Sequence, residues 1–103
     1  MIRHIVLIKF KPTLNDVEIS TLFDELYEIK KKLPGVLGIT SGKSESPEMM
    51  ERGYMHGFVV DFVDWDALQA YQEHPDHKAL GAKLVSNAVA GIDDILVFDL
   101  PVT

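Results

Sequence analysis

Tyr71-Gln72-Glu73-His74-Pro75-Asp76-His77 sets two of the chain's four histidines beside a tyrosine and a proline. An imidazole with an ordinary pKa near ~6.5 can take up a proton at neutral pH, and a neutral phenol can donate a hydrogen bond to a carbonyl or enolate oxygen. His77 as base and Tyr71 as oxyanion donor together suit proton abstraction from carbon next to a carbonyl. Spacing constrains the pair only in part. Tyr71 and His74 share a helix face at i, i+3, whereas Pro75 lacks an amide donor and ends one helix or opens the next, so the direction of His77 stays open. A structural alternative stands beside the chemistry, with His77 bonded to a backbone carbonyl at the junction and Tyr71 packed under the helix. His74 reads as a junction residue, and Asp76 as a first-turn acid favoured by the helix dipole. Glu73, His74, Asp76 and His77 carry ligand atoms for a divalent ion, but at no diagnostic spacing. No metal and no cofactor are expected.

Composition narrows the classes further. The chain has no cysteine, which removes disulfides, thiolate nucleophiles and zinc-thiolate sites together. A net charge of −6 without a basic, aromatic-interleaved stripe excludes nucleic acid as a partner. No apolar run approaches a membrane span, and Arg3, Lys9 and Lys11 interrupt the start where a secretory leader would need a continuous apolar core. A cytoplasmic location is the default expectation. With 103 residues, 47% hydrophobic and 25% charged, residues 1–103 read as one globular domain.

The elements that must position the chemistry follow in order. Residues 2–10, rich in branched side chains, form a strand with Ile2, His4, Val6, Ile8 and Phe10 on one face and Ile5 and Leu7 on the other. Asn15, with Glu18 three residues on, caps a helix whose stripe is Ile19, Leu22, Phe23, Leu26, Ile29, Lys30 and Leu33, bordered by Tyr27 and stopped by Pro34-Gly35. A weaker strand spans 36–44. A third, 54–63, puts Tyr54, His56, Phe58, Val60 and Phe62 on one face. Asp64 caps a helical stretch carrying Leu68 and Tyr71. Beyond Pro75 it continues through Leu80 and Leu84 to Gly91, as one bent helix or two short ones. Residues 92–100 form the last strand.

This order fits an α+β, ferredoxin-like arrangement: a four-stranded antiparallel sheet with helices on one face. One helix layer covers one face, yet the first and third strands are apolar on both. The second face therefore needs a partner, and the simplest is a second copy of the chain. On the covered face, His4, Val6 and Phe58 meet Phe23, Leu26, Tyr27, Tyr71, His77 and Leu80 around an expected pocket. His4, on an apolar strand face, is by residue type more often a satisfied core histidine than a base. Antiparallel pairing of the first and third strands would hold His4 and His56 roughly 10 Å or more apart at about 3.4 Å per residue.

His4-Ile-Val-Leu-Ile-Lys-Phe-Lys11, Gly35-Val36, Tyr54-Met-His56 and Tyr71-Gln-Glu-His74-Pro75-Asp-His77, in this order, resemble the stress-responsive dimeric α/β-barrel family over essentially the whole chain. The resemblance implies that two ferredoxin-like sheets pair across a twofold axis into a barrel. It also implies one of two functions, because the family holds stress-associated proteins alongside plant polyketide cyclases. In the cyclase branch the residues matching Tyr71 and His77 serve the chemistry, and those matching His4 and His56 belong to or border the site. Leu22, Leu26 and Ala88 depart from it, standing where the cyclase has larger aromatic groups. The implied activity is a cofactor-independent, cyclase- or lyase-type reaction on a small apolar carbonyl or polyketide-like ligand. The alternative is a non-catalytic homodimer whose histidines are structural.

Overall fold

A computed structural model describes residues 1–103. Its sheet has strands β1 (Ile2–Ile8), β2 (Val36–Lys43), β3 (His56–Phe62) and β4 (Ile95–Pro101), ordered β2-β3-β1-β4 with every neighbouring pair antiparallel. Helices α1 (Asp16–Lys30), α2 (Trp65–Glu73) and α3 (Pro75–Asn87) connect them, with a 3-10 turn at Gly91–Asp94. The expected strand ends are trimmed. β1 stops at Ile8 because Phe10 leaves the ladder to bridge Ala88 beyond α3, and residues 91–94 coil into the 3-10 turn instead of opening β4.

Local chemistry accounts for the helices. The Asn15 side chain accepts from the Glu18 amide at 2.8 Å while the Asn15 amide donates to the Glu18 carboxylate, so two otherwise orphaned donors at the start of α1 are satisfied. Ile19, Leu22, Phe23, Leu26 and Ile29 are buried along one stripe; Lys30, grouped with them by spacing, lies in solvent. Asp64 caps α2 by accepting from the Ala67 amide at 2.9 Å. The sequence from Asp64 to Gly91 resolves into two helices. His74 adopts an extended backbone (φ −66°, ψ 133°), the conformation that a following proline enforces, and Pro75 takes the first position of α3.

Register sets the two faces of the sheet. Ile2, His4, Val6 and Ile8 of β1 stand opposite Phe62, Val60, Phe58 and His56 of β3, and this layer packs on the helices as the core. The outer face carries Ile5 opposite Phe98 and Leu7 opposite Leu96, with Phe98 59% and Leu96 48% exposed. Its charged pair is Arg3–Asp61, joined across the β1–β3 ladder at 2.9 Å. No helix is long and apolar enough to cross a membrane.

Helix α2 approaches the start of β2 so closely that a Cβ on Gly35 would lie 2.5 Å from the Ala67 Cβ. Gly35→Ala should therefore cost about 1–3 kcal/mol in a denaturant titration, by overpacking. Gly38→Ala, which meets nothing within 4 Å, is the control and should stay near the parent value.

Candidate functional site

Tyr71 closes the last turns of α2 and His77 opens α3. The Pro75 break between them folds the two rings together, with centroids 4.3 Å apart. The His77 Nδ1–H donates to the Gln72 carbonyl at 3.2 Å; a carbonyl can only accept, so Nδ1 holds the proton and Nε2 keeps the free lone pair. Tyr71 is 1% exposed, packed on Phe62 at 5.1 Å, and meets the edge of His4 at 5.8 Å. Its hydroxyl is buried without a hydrogen-bond partner. His4 in turn reaches Asp99 on β4, Nδ1 to Oδ1 2.5 Å. The result is a line of four groups across the helix–sheet interface: Asp99, His4, Tyr71 and His77.

Beside this line lies a cavity of about 210 Å³. His4 and His77 supply polar lining together with Gln72; Val6, Phe58, Leu84, Val85, Ile92, Ile95 and Val97 supply the apolar walls. Burial governs the electrostatics. It pushes the Tyr71 phenol well above its ordinary value, so the group is a neutral donor throughout the physiological range. It also holds His77 below the usual imidazole value, against the opposing bond to Gln72 and with help from the nearby His4 and His74. A buried phenol without a partner costs about 1–3 kcal/mol.

The expected pocket residues divide into three groups. His4, Val6, Phe58 and His77 line the cavity; Tyr71, expected in it, does not, because it is buried behind the two histidine rings that do. Phe23, Tyr27 and His56 line a different space of about 300 Å³, between α1 and the end of the β2–β3 pair, where Asp16, Ser20, Asp24 and Lys43 also face in and the Tyr27 and Ser41 hydroxyls bond at 3.0 Å. The reason is register: His56 pairs with Ile8 and His4 with Val60, four positions along β1. Leu26 and Leu80, 0% and 2% exposed, line neither space and fill the core between helices and sheet. His74 caps α3, its Nδ1 accepting from the Asp76 amide at 3.1 Å, while Asp76 pairs with Lys32 and Glu73 accepts from Gln69. Sequence reasoning missed Asp99. The signal was there: it is the lone charge in the apolar run from Ile95 to Leu100, on the same strand face as Val97.

Four antiparallel strands with helices on one face, in β-α-β-β-α-α-β order, define a ferredoxin-like protein. The sequence profile of the stress responsive A/B barrel domain matches residues 2–102, and the chain belongs to that family. A dimeric ferredoxin-like protein of unknown function from Jannaschia sp. CCS1 superposes with a TM-score of 0.91 at 32% identity over 98% of both chains. A stress-response A/B barrel domain-containing protein of Arabidopsis thaliana is 29% identical over 101 residues, 97% of this chain and 85% of that one. Olivetolic acid cyclase of Cannabis sativa is 25% identical over 80 residues, 78% of this chain and 79% of the cyclase.

In an NMR titration, His77 should protonate below 6.5 because burial lowers its affinity for the proton. Protonation then favours the unfolded chain: the stability His77 contributes is complete above about 6.5 and is lost as pH falls through its depressed folded value. An absorbance titration against Tyr71→Phe should find the Tyr71 phenol still neutral well past its ordinary value of 10.0.

Proposed function

We propose that the protein is a cofactor-independent enzyme of cyclase or lyase type that removes a proton from carbon next to a carbonyl of a small, largely apolar ligand. One observation carries this reading: the His77 ring lines an apolar cavity with Nδ1 tied to a backbone carbonyl and Nε2 free, and packs at a tilt of 49° on a buried phenol that has no hydrogen-bond partner. His77 Nε2 takes the proton from the α-carbon. The C–H electron pair moves into an enolate, and the Tyr71 hydroxyl donates to the oxygen on which charge develops. Val6, Phe58, Leu84 and Val97 keep water from the enolate and hold the apolar body of the ligand. Similarity to olivetolic acid cyclase supports a polyketide-like or β-dicarbonyl ligand.

We further propose that the working form is a homodimer formed through the outer sheet face. Leu7, Leu96, Phe98 and Leu100 are each at least 38% exposed there and lie together across β1 and β4, and the Jannaschia relative is dimeric.

Deuterium incorporation next to the carbonyl of acetophenone in D2O, after a thermal-shift screen of β-dicarbonyl compounds, tests the reaction. His77→Ala and Tyr71→Phe should each slow it roughly a hundredfold or more, less than additively in combination, while binding weakens less. The parent rate should fall on acidification only below the ordinary imidazole value, because the His77 base form persists there. Parent-rate exchange by His77→Ala, or no ligand response across the screen, would favour the structural homodimer instead. Sedimentation should show twice the 11.6 kDa chain mass, and Leu7→Asp should shift it toward the monomer, since a charge in a packed interface is costly to desolvate. A parent sample of 11.6 kDa alone at micromolar concentration would rule the dimer out.

A further inference from the structure

The geometry points to Asp99 as a positioning residue that makes His4 a second acid–base group facing His77, an inference that rests on the catalytic reading above. His4 and Asp99 are register partners on β1 and β4, with the imidazole side chain 6% and the carboxylate 26% exposed. The aromatic neighbours of the His4 ring, Phe62 and Tyr71, meet it edge-on, and the Tyr71 hydroxyl makes no hydrogen bond to it. Asp99 therefore determines how the ring sits.

A carboxylate accepts and does not donate, so the His4 Nδ1 carries a proton whether the ring is neutral or charged. Every exchange with a ligand must pass through Nε2. The Gln72 carbonyl imposes the same restriction on His77. Two imidazoles, one from the sheet and one from α3, thus line a single cavity with Nδ1 tied off in each and the Tyr71 ring between them. One histidine can take a proton while the other holds or returns one at a second atom of the same ligand.

The test is the imidazole nitrogen spectrum of the whole protein, with the His4 signals assigned by their loss in His4→Gln. A protonated Nδ1 in the parent and mixed Nδ1–H and Nε2–H tautomers in Asp99→Ala are expected. An unprotonated Nδ1 in the parent, or an unchanged tautomer in Asp99→Ala, overturns the inference. Should Asp99→Ala not fold, Asp99→Asn serves, because an amide can either accept from or donate to Nδ1 and releases the same mixture. The second readout is acetophenone exchange, where Asp99→Asn should lower kcat roughly tenfold or more at an unchanged KM and melting temperature. Slow exchange by His77→Ala with parent-rate exchange by Asp99→Asn removes the role of Asp99 and leaves the catalytic reading standing. Parent-rate exchange by both removes the catalytic reading, and with it this role.

Discussion

Everything at the site depends on a missing hydrogen. Pro75 has no amide proton and forces the residue before it out of the helical region, so a stretch that would otherwise run as one long helix must break at His74. The break is well satisfied. His74 accepts from the Asp76 amide, the His74 amide returns to the Tyr71 carbonyl, and Lys32, in the turn after α1, pairs with Asp76. What the kink achieves is a meeting of side chains from two different helices, Tyr71 from the end of one and His77 from the start of the next, at a distance that six residues of continuous helix would not give.

The surrounding packing determines what those groups can do. A tyrosine at 1% exposure with an unpaired hydroxyl works against stability, and the aromatic contacts with Phe62, His4 and His77 offset part of that cost. The same burial keeps the phenol neutral and lowers the proton affinity of His77. One physical cause, removal from water, thus sets both protonation states in the direction that proton abstraction requires.

The sheet divides the labour between its faces. Strand β1 lies at the centre of the order and is apolar on both sides, with His4 inward toward the helices and Leu7 outward. β4 sits at an edge, beyond full cover by the helix layer, which leaves Val97 half exposed at the cavity while Asp99 on the same strand reaches His4. An edge strand suits this use, since it lets a carboxylate keep partial hydration while touching a buried ring.

Much of this was legible in the chain. Strand and helix identities, the Asn15 and Asp64 caps, the stripe from Ile19 to Ile29, the inward faces of the first and third strands and the break at Pro75 all follow from local rules of period, capping and backbone freedom. Those rules operate over a few residues, so one sequence suffices to read them. Residue type and spacing also brought out Tyr71 and His77, whereas His4 entered the site only through the family resemblance. Antiparallel pairing already held His56 away from His4, but the stripes did not separate Phe23 and Tyr27 from the cavity that holds His77, nor recognise Leu26 and Leu80 as solid core, because a periodic stripe states which side of a helix is buried and not how far along the sheet each residue lands. Asp99 is the sharper case. It is 95 residues from His4, and only the antiparallel register of β1 with β4 sets the two opposite each other. Residue type, capping and period are local and were determined by the sequence alone; which distant side chains meet is a matter of strand order and register, and that the tertiary structure decided.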